Sequence, residues 1–198
     1  MYLFGASGHG KVVADAAEST GIKIEGFIDD NPDLEKIGSY PVLRSLPPGA
    51  RHLFLSVGNN TTRKKIAQSF PDVDFIKIIH ATAWVSKYAS IGQGTVIMAG
   101  VSVNAEAQIG QHVILNTNAS VDHECIIGDF VHISPNVALA GDVSVGEGTH
   151  IGIGASVIQG ISIGKWATIG AGAVVIKDVP DFTVVVGNPA KVIKYNNP

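Results

Sequence analysis

The chain carries seven histidines, and one of them stands between two carboxylates. His123 follows Asp122 and precedes Glu124. A carboxylate bonded to one imidazole nitrogen fixes the tautomer and raises the basicity of the other nitrogen. An imidazole with its ordinary pKa of about 6.5 is largely neutral near pH 7, so it can accept a proton. These residue types predict a general base at His123 with Glu124 as its support.

The element that would hold this base is indicated by an aliphatic residue at every sixth position. From residue 91 to residue 175 all fifteen such positions are Ile, Leu or Val, and the positions two residues earlier are mostly small. This period is typical of a parallel β-helix, in which three hexapeptides make one triangular coil. It predicts such a helix over 89–178; a chance pattern in a β-sandwich is the alternative. Glycines also recur once per predicted coil, which we attribute to turns with unusual backbone angles, at Gly92, Gly110, Gly128, Gly146 and Gly164.

The phase of the coils sorts the histidines into outward and packing positions. His123 falls at a corner two residues after an inward Val121, so its ring should reach the outer surface. His132 and His150 are one coil apart and should stack about 4.8 Å from each other on an outward-facing side. His112 shares a column with an aromatic residue, Phe130, which indicates packing.

Gly141 lies one coil beyond His123 in this phase. With no side chain in the way, its backbone N–H is a candidate donor to an oxyanion beside the base. We therefore include Gly141 with His123 and Glu124 in the predicted catalytic set.

The N-terminal part of the chain has a different pattern. Strands are predicted at residues 1–5, 24–28 and 53–57, and helices at 11–19 and 61–69, which indicates a small parallel sheet of Rossmann type. A boundary near residue 80 follows, with domains at 1–80 and 81–198. We interpret the basic run Arg63-Lys64-Lys65 as a solvated helix face.

Polar and glycine residues follow each of these three strands, where such sheets bind ligands. The turn Gly5-Ala6-Ser7-Gly8-His9-Gly10-Lys11 favours a phosphate at a helix N-terminus, but its glycine order fits no dinucleotide fingerprint, and Val12 stands where a P-loop has Ser or Thr. Asp29-Asp30 and Gly58-Asn59-Asn60 end the next two strands. A ligand-free tight turn and a solvated acidic turn are the alternatives.

Composition excludes several classes of function. The net charge is −3, so nucleic acid is not an expected partner. There is no uninterrupted apolar run long enough to span a membrane and no leader pattern, so no membrane association is expected. A single cysteine, Cys125, suits a reducing compartment, and we expect a soluble cytoplasmic protein.

Taken together, the motifs resemble those of the bacterial hexapeptide-repeat sugar acetyltransferases related to the sialic acid O-acetyltransferase. The likeness is greatest to the nucleotide-4-amino-sugar N-acetyltransferases of the bacillosamine pathway. The resemblance spans nearly the full length, and the residues that carry it are Gly5-Ala6-Ser7-Gly8-His9-Gly10, Asp29-Asp30, Gly58-Asn59-Asn60, Asn116-Thr117, His123-Glu124 with Gly128, and Gly187-Asn188-Pro189-Ala190-Lys191.

The resemblance implies a left-handed β-helix, a homotrimer, acetyl-CoA as co-substrate and no metal. It implies a nucleotide sugar bound in the N-terminal domain and acetyl-CoA bound along the β-helix. The implied nucleotide-sugar residues are Ser7, Gly8, His9, Asp29, Asp30, Gly58 and Asn116, and the implied acetyl-CoA residues are His132, Ile153 and Ala171, the last a Gly in some relatives.

The expected reaction is direct acetyl transfer to the C4 amine of the sugar, with His123 removing the proton. No acyl-enzyme is expected, because Cys125 falls at an inward position. Three alternatives stay open: a sialic acid O-acetyltransferase with the same base, a γ-carbonic-anhydrase relative that would need three metal-binding histidines, and a non-catalytic scaffold.

Overall fold

The computed structural model describes residues 1–196. It begins with a mixed six-stranded sheet in the order β3-β4-β2-β1-β5-β6, parallel except between β3 and β4. Helix α1 (Gly8–Glu18) follows the first strand and α2 (Asn60–Gln68) follows the fifth. The strands are β1 (Tyr2–Phe4), β2 (Gly26–Ile28), β3 (Lys36–Ile37), β4 (Tyr40–Leu43), β5 (His52–Leu55) and β6 (Asp74–Phe75).

This sheet confirms the predicted Rossmann-like fold, with three additions. Strands β3, β4 and β6 were not predicted, and α1 begins three residues earlier than the pattern indicated. Leu3 of β1, all of β2 and residues 53–55 of β5 are buried, whereas polar groups follow the carboxyl ends of these strands. The ends of the three predicted strands therefore meet at one edge of the sheet.

A parallel β-helix follows, also as predicted, and its strands form three sheets. The first sheet contains β7 (Ile78–Ile79), β10 (Val96–Ile97), β13 (Ile114–Leu115), β16 (His132–Ile133), β19 (His150–Ile151), β22 (Thr168–Ile169), β24 (Thr183–Val186) and β25 (Lys191–Tyr195). The second contains β8 (Trp84–Val85), β11 (Ser102–Val103), β14 (Ser120–Val121), β17 (Ala138–Leu139), β20 (Ser156–Val157) and β23 (Val174–Val175). The third contains β9 (Ser90–Ile91), β12 (Gln108–Ile109), β15 (Ile126–Ile127), β18 (Ser144–Val145) and β21 (Ser162–Ile163).

The β-helix extends beyond the predicted 89–178 at both ends. Its first strand, β7, begins at Ile78, close to the predicted domain boundary, and β24 pairs with β22 at the other end. Strand β25 then pairs antiparallel with β24. The register between neighbouring coils matches the predicted phase, so His132 lies beside His150 and Ile133 beside Ile151.

The corners between sheets depend on a left-handed backbone angle at every sixth residue. These residues have φ between 52° and 69°, and from 94 to 172 they are Gly94, Gly100, Glu106, His112, Asn118, Glu124, Phe130, Asn136, Asp142, Gly148, Gly154, Gly160, Trp166 and Gly172. Several are not glycine, although such angles are strained for most side chains. Hydrogen bonds to the preceding coil offset this strain, as from the His112 N–H to the Gln93 carbonyl at 2.8 Å.

Our explanation of the glycines at 92, 110, 128, 146 and 164 was wrong. None of them has a positive φ. A Cβ built on Gly92 would lie 2.4 Å from the backbone carbon of Gly110, and one built on Gly128 would lie 2.8 Å from the backbone nitrogen of Glu147. Glycine is required here because successive coils approach too closely for a side chain.

The inward column predicts a sharp contrast in stability between two neighbouring isoleucines of β15. Ile127 is 2% exposed and Ile126 is 52% exposed. Ile127→Ala should lower the free energy of unfolding by about 2–5 kcal/mol, whereas Ile126→Ala, the same chemical change, should cost less than about 1 kcal/mol. Urea unfolding at one protein concentration measures both. Equal losses in the two variants would contradict the assigned register.

Candidate active site

His123 lies at the second corner of the β-helix, which connects the second and third sheets (residues 122–125 in this coil). Its side chain is exposed, as the phase predicted. Its Nδ1 lies 3.0 Å from Oε2 of Glu124. Because a carboxylate accepts, Nδ1 carries a proton, and in the neutral form of the ring the lone pair is on Nε2. The ring is therefore held in the tautomer that a general base requires.

The local backbone brings this pair together. Glu124 has a φ of 61°, one of the repeated left-handed angles, and this places its carboxylate beside the preceding ring. Asp122 instead accepts hydrogen bonds that stabilise the turn. Its Oδ1 accepts from the N–H of His123 at 2.8 Å and from the Asn104 side chain at 2.8 Å, and these bonds lower the pKa of Asp122. One flanking carboxylate thus orients the ring and the other fixes the turn.

Gly141 lies directly beneath the His123 ring. A Cβ at this position would be 2.4 Å from Cε1 and 2.5 Å from Nε2 of His123. Within residues 1–196, no group accepts a hydrogen bond from the Gly141 N–H. The absence of a side chain lets the imidazole lie flat on the next coil, and the role of this N–H as an oxyanion donor stays a prediction.

Cys125 is buried beside this pair. Its Sγ donates to the carbonyl of Ala140 at 3.2 Å. Burial raises the pKa of the Cys125 thiol, so the nucleophilic thiolate is disfavoured. The inward position predicted for this residue is confirmed.

The predicted nucleotide-sugar residues lie along the edge where β1, β2 and β5 end. Ser7 is the N-cap of α1, and Ser7 and Gly8 are exposed there. Asp29 holds the turn before them, because its Oδ2 accepts from the Ala6 N–H at 2.7 Å. Asp30 is exposed with no such bond among the described residues. The edge therefore presents exposed backbone and side-chain groups on a turn that Asp29 braces.

Asn116 and Gly58 both contact His132. The Asn116 Oδ1 accepts from the Thr117 N–H at 2.9 Å, so its amide nitrogen is turned toward Nε2 of His132, 3.3 Å away. Nδ1 of His132 faces the Gly58 carbonyl at 3.4 Å. His132 is therefore neutral with its proton on Nδ1, and it joins the β-helix to the N-terminal domain.

Three imidazoles form what we call the histidine stack, composed of His9, His132 and His150. The rings of His132 and His150 are 4.8 Å apart, which confirms the predicted spacing, and those of His9 and His132 are 6.2 Å apart. Burial lowers the pKa of His9 to about 4 and that of His132 to about 3, and it also lowers the pKa of His150. The Nε2 of His9 is buried and has no partner within residues 1–196.

A cleft of about 1000 Å³ opens beside this stack, between α2 and the first sheet. Gly58, His132 and His150 line one end, and Trp166 and Phe182 line the other. His112 is not part of it. That ring stacks on Phe130 at 4.9 Å, which confirms the predicted packing role.

The implied acetyl-CoA residues fall on two different surfaces. Ile153 and Ala171 occupy equivalent positions in successive coils at the first corner, which connects the first and second sheets, and both are exposed. His132 instead faces the N-terminal domain and contacts Gly58 and Asn116, two residues implied for the nucleotide sugar.

Sequence reasoning missed Arg63. The run Arg63-Lys64-Lys65 was interpreted as a solvated helix face, which is wrong for Arg63, because this side chain is 1% exposed. Its guanidinium reaches across to the β-helix and donates to the carbonyls of His112 and Phe130. Lys64 pairs with Glu147, and only Lys65 is exposed. No local pattern distinguishes an interdomain arginine from a surface one.

The candidate catalytic and binding residues do not all lie close together within one chain. His123 lies at the second corner, whereas His132 and His150 lie on the first sheet and His9 lies on α1. No three His, Cys, Asp or Glu side chains in residues 1–196 are grouped so that they could hold a metal ion. No helix in that range is long and apolar enough to cross a membrane.

Comparisons with known proteins agree on one family. Residues 1–70 match the model of the PglD N-terminal domain. A segment covering 49% of this chain is 42% identical to UDP-N-acetylbacillosamine N-acetyltransferase of Bacillus subtilis. That segment spans 50% of the relative, and the chain spans half or less of the curated relatives that it matches.

Solved structures match over nearly the whole length. The acetyltransferase domain of PglB from Neisseria gonorrhoeae is 40% identical, with a TM-score of 0.92, over 97% of this chain and 98% of that one. A histidine-to-alanine variant of the GDP-perosamine N-acetyltransferase from Caulobacter crescentus, in complex with CoA and GDP-perosamine, is 36% identical, with a TM-score of 0.94, over 98% and 96%.

The lowered pKa values of His9 and His132 predict an acid-sensitive fold. Between pH 6.5 and about 4 the unfolded chain binds protons that the folded chain excludes, so stability falls as the pH falls through this window. Each such histidine contributes about 1.4 kcal/mol per pH unit. Urea unfolding at pH 7, 6 and 5 measures this slope, and His132→Asn should reduce it. The same slope in both proteins would show that His132 is not held neutral.

Proposed function

From the premise that this chain belongs to the family of nucleotide-sugar N-acetyltransferases, we propose that it acetylates the C4 amine of a nucleotide-linked 4-amino-4,6-dideoxy sugar. Membership rests on 40% identity across 98% of the PglB acetyltransferase domain and 36% identity across 96% of the GDP-perosamine enzyme. The proposed acetyl donor is acetyl-CoA. A neisserial relative is described in complex with acetyl coenzyme A, and the Caulobacter relative with CoA and GDP-perosamine.

The observation that carries the proposal is the geometry of His123. Its Nδ1 is held 3.0 Å from Glu124, and its Nε2 has no hydrogen-bond partner among residues 1–196 and lies on an exposed corner. An acetyl transfer from a thioester requires a base that accepts the proton of the attacking amine. A neutral imidazole whose second nitrogen is anchored to a carboxylate suits that task. We therefore assign His123 as the base and Glu124 as the residue that orients it.

In the proposed mechanism the neutral amine attacks the thioester carbonyl, and a C–N bond forms. His123 Nε2 takes the amine proton, and the Gly141 N–H stabilises the oxyanion. The C–S bond then breaks, and the proton on His123 passes to the departing CoA sulfur. Charge and protons balance, and the imidazole returns to its neutral form. A covalent route through Cys125 is disfavoured, because the thiol is buried and its raised pKa opposes ionisation.

The substrates are assigned to the two predicted surfaces. The nucleotide sugar would bind at the sheet edge, against Ser7, Gly8, His9, Asp29, Asp30 and Gly58, with Asn116 nearby. Acetyl-CoA would run along the first corner past Ile153 and Ala171, where exposed positions of successive coils form a line. His132 is assigned to acetyl-CoA by the family resemblance, and its contacts with Gly58 and Asn116 also assign it to the nucleotide sugar. The unpartnered Nε2 of His9 is a group that a ligand would satisfy.

A homotrimer is part of the proposal, because the base and the sheet edge are on different faces of one chain. His123 occupies the second corner, and His132 occupies the first sheet. A neighbouring copy related by threefold symmetry would bring its second corner to the sheet edge. A cytoplasmic location also belongs to the proposal, since the free Cys125 thiol suits a reducing compartment. The acetylated sugar would serve surface glycan or glycoprotein synthesis.

The test of the activity is a thiol-release assay with acetyl-CoA against UDP-, GDP- and dTDP-linked 4-amino sugars. At least one should release CoA at a rate typical of enzymes, on the order of 1–1000 per second. Free sialic acid is included because the same base would serve a hydroxyl. CoA release with sialic acid and with none of the amino sugars would replace this proposal with an O-acetyltransferase.

Two substitutions test the assigned roles in that assay. His123→Ala should lower kcat by about 100- to 10,000-fold, because general-base catalysis is lost. Cys125→Ala should stay within about threefold of the wild type, since no acyl-enzyme is formed. Circular dichroism checks that both are folded. A His123→Ala rate above a tenth of the wild type, or an inactive folded Cys125→Ala, would refute the mechanism.

Subunit mixing tests the shared site. His123→Ala removes the base, and Ser7→Trp blocks the exposed turn at the sheet edge. Each homotrimer should be inactive, but exchange of subunits should create sites that combine an intact base with an intact turn. Activity should therefore reappear after co-refolding. A mixture that stays inactive although native mass spectrometry shows mixed trimers would place the whole site within one chain.

A further inference from the structure

Arg63 is a buried arginine with no ionised partner within residues 1–196. Burial lowers its pKa to about 9, so it is still charged near pH 7. Its side chain nevertheless makes a full set of hydrogen bonds, and all of their acceptors are neutral. Burying a charge without a counter-charge is costly unless its donors are satisfied. The role of Arg63 therefore follows from the groups that accept its hydrogen bonds.

The guanidinium bridges two parts of the fold. On the N-terminal side, Nη1 donates to the carbonyls of Val57 and Gly58 at 2.9 and 3.2 Å. On the β-helix side, Nε donates to the His112 carbonyl at 2.9 Å and Nη2 to the Phe130 carbonyl at 2.8 Å. His112 and Phe130 stack in successive coils. One planar fork thus fixes the distance between the turn after β5 and the β-helix.

The Gly58 carbonyl connects this fork to the histidine stack. The same oxygen that accepts from Arg63 Nη1 also faces Nδ1 of His132 at 3.4 Å. Asn60 secures the same interface, since its Oδ1 accepts from Arg63 at 3.0 Å and its Nδ2 donates to the Gly148 carbonyl at 3.0 Å. A shift of the guanidinium would move the Gly58 carbonyl away from His132. The His132 proton would then no longer be fixed on Nδ1.

We propose that Arg63 is a positioning residue of the nucleotide-sugar pocket, which holds Gly58 against His132 and sets the hydrogen-bonding form of His132 without contacting substrate. The role as a pocket residue rests on the proposed function, whereas the structural role does not. In this form His132 accepts at Nε2 from Asn116 and donates at Nδ1. A protonated ring would set its Nε2–H against the Asn116 amide hydrogens.

Electrostatics supports the same assignment. The titratable and charged groups around His132 are Arg63 on α2, His9 on α1 and His150 in the next coil. After burial, the charge of Arg63 is a further cause of the lowered pKa of His9, His132 and His150. Lys64, the other cation at this interface, is paired with Glu147.

Two substitutions distinguish the effect of the Arg63 hydrogen bonds from the effect of its charge. Arg63→Lys keeps the charge but cannot reach both sides at once, because an ammonium lacks the planar fork. Arg63→Met keeps much of the apolar stem and removes the charge. Lys65→Met is the matched control, since Lys65 is exposed on the same helix. Circular dichroism checks the fold of each variant.

The first measurement is a nitrogen-15 histidine NMR titration, which reports tautomer and protonation without any substrate. Wild-type His132 should show a protonated Nδ1 and stay neutral above pH 5. Arg63→Lys should lose the single tautomer and stay neutral, while Arg63→Met should begin to protonate closer to pH 6.5. Lys65→Met should match the wild type. A wild-type His132 spectrum in folded Arg63→Lys would overturn the proposal, and Arg63→Lys decides the question alone when Arg63→Met does not fold.

The second measurement is KM for each substrate. Arg63→Lys should raise KM for the nucleotide sugar by about tenfold or more, since misplacement by about 1 Å costs up to about 100-fold. KM for acetyl-CoA should rise by a clearly smaller factor, because only His132 among its three proposed contacts is disturbed, while Ile153 and Ala171 stay in place at the first corner. Equal rises in both constants would indicate a general structural role and overturn the pocket assignment. Failure of every amino sugar as a substrate would sink the proposed function, while the NMR result would still decide the role of Arg63.

Discussion

The structure depends on the parallel hydrogen-bonded ladder between successive coils of the β-helix. Each strand pairs in register with the equivalent strand of the next coil, and the inward aliphatic column is buried from Ile97 to Val175. Close approach of the coils excludes side chains at the recurring glycines, and a left-handed residue turns the chain at each corner. The ladder therefore fixes the position of every outward side chain relative to its neighbours one coil away.

The chemistry of the site follows from that fixed spacing. Gly141 lies under the His123 ring because it is one coil further on, and the left-handed Glu124 places its carboxylate at Nδ1. The stacking of His132 on His150 has the same origin. A rigid frame of this kind orients a base before substrate arrives, which is how preorganised groups reduce the cost of reaching the transition state. The β-helix does not determine which acceptor is acetylated. In the proposed function the acceptor is selected at the edge of the N-terminal sheet, where Asp29 braces the exposed turn.

The sequence was most informative where structure is periodic. The phase of the coils correctly predicted the exposed His123, the buried Cys125 and the packing of His112 on Phe130. It was least informative where burial depends on contacts between distant segments. Arg63 has the local pattern of a surface residue, and only the docking of α2 on the β-helix buries it. Strands β3 and β6 are very short and are defined by their partners, so no run of residues indicates them. The glycine columns were predicted at the right places for the wrong reason, since coil contact is not visible in a single repeat.

The central claim is that His123 serves acetyl transfer to an amine on a nucleotide sugar. The most direct measurement is a competition in which the enzyme receives acetyl-CoA with equal amounts of a nucleotide-linked 4-amino sugar and its 4-hydroxy counterpart. Products are identified by mass spectrometry and by the amide proton in NMR spectra. We predict a single N-acetylated product that is lost in His123→Ala. An acetyl ester as the main product, or an amide formed equally well by His123→Ala, would contradict it.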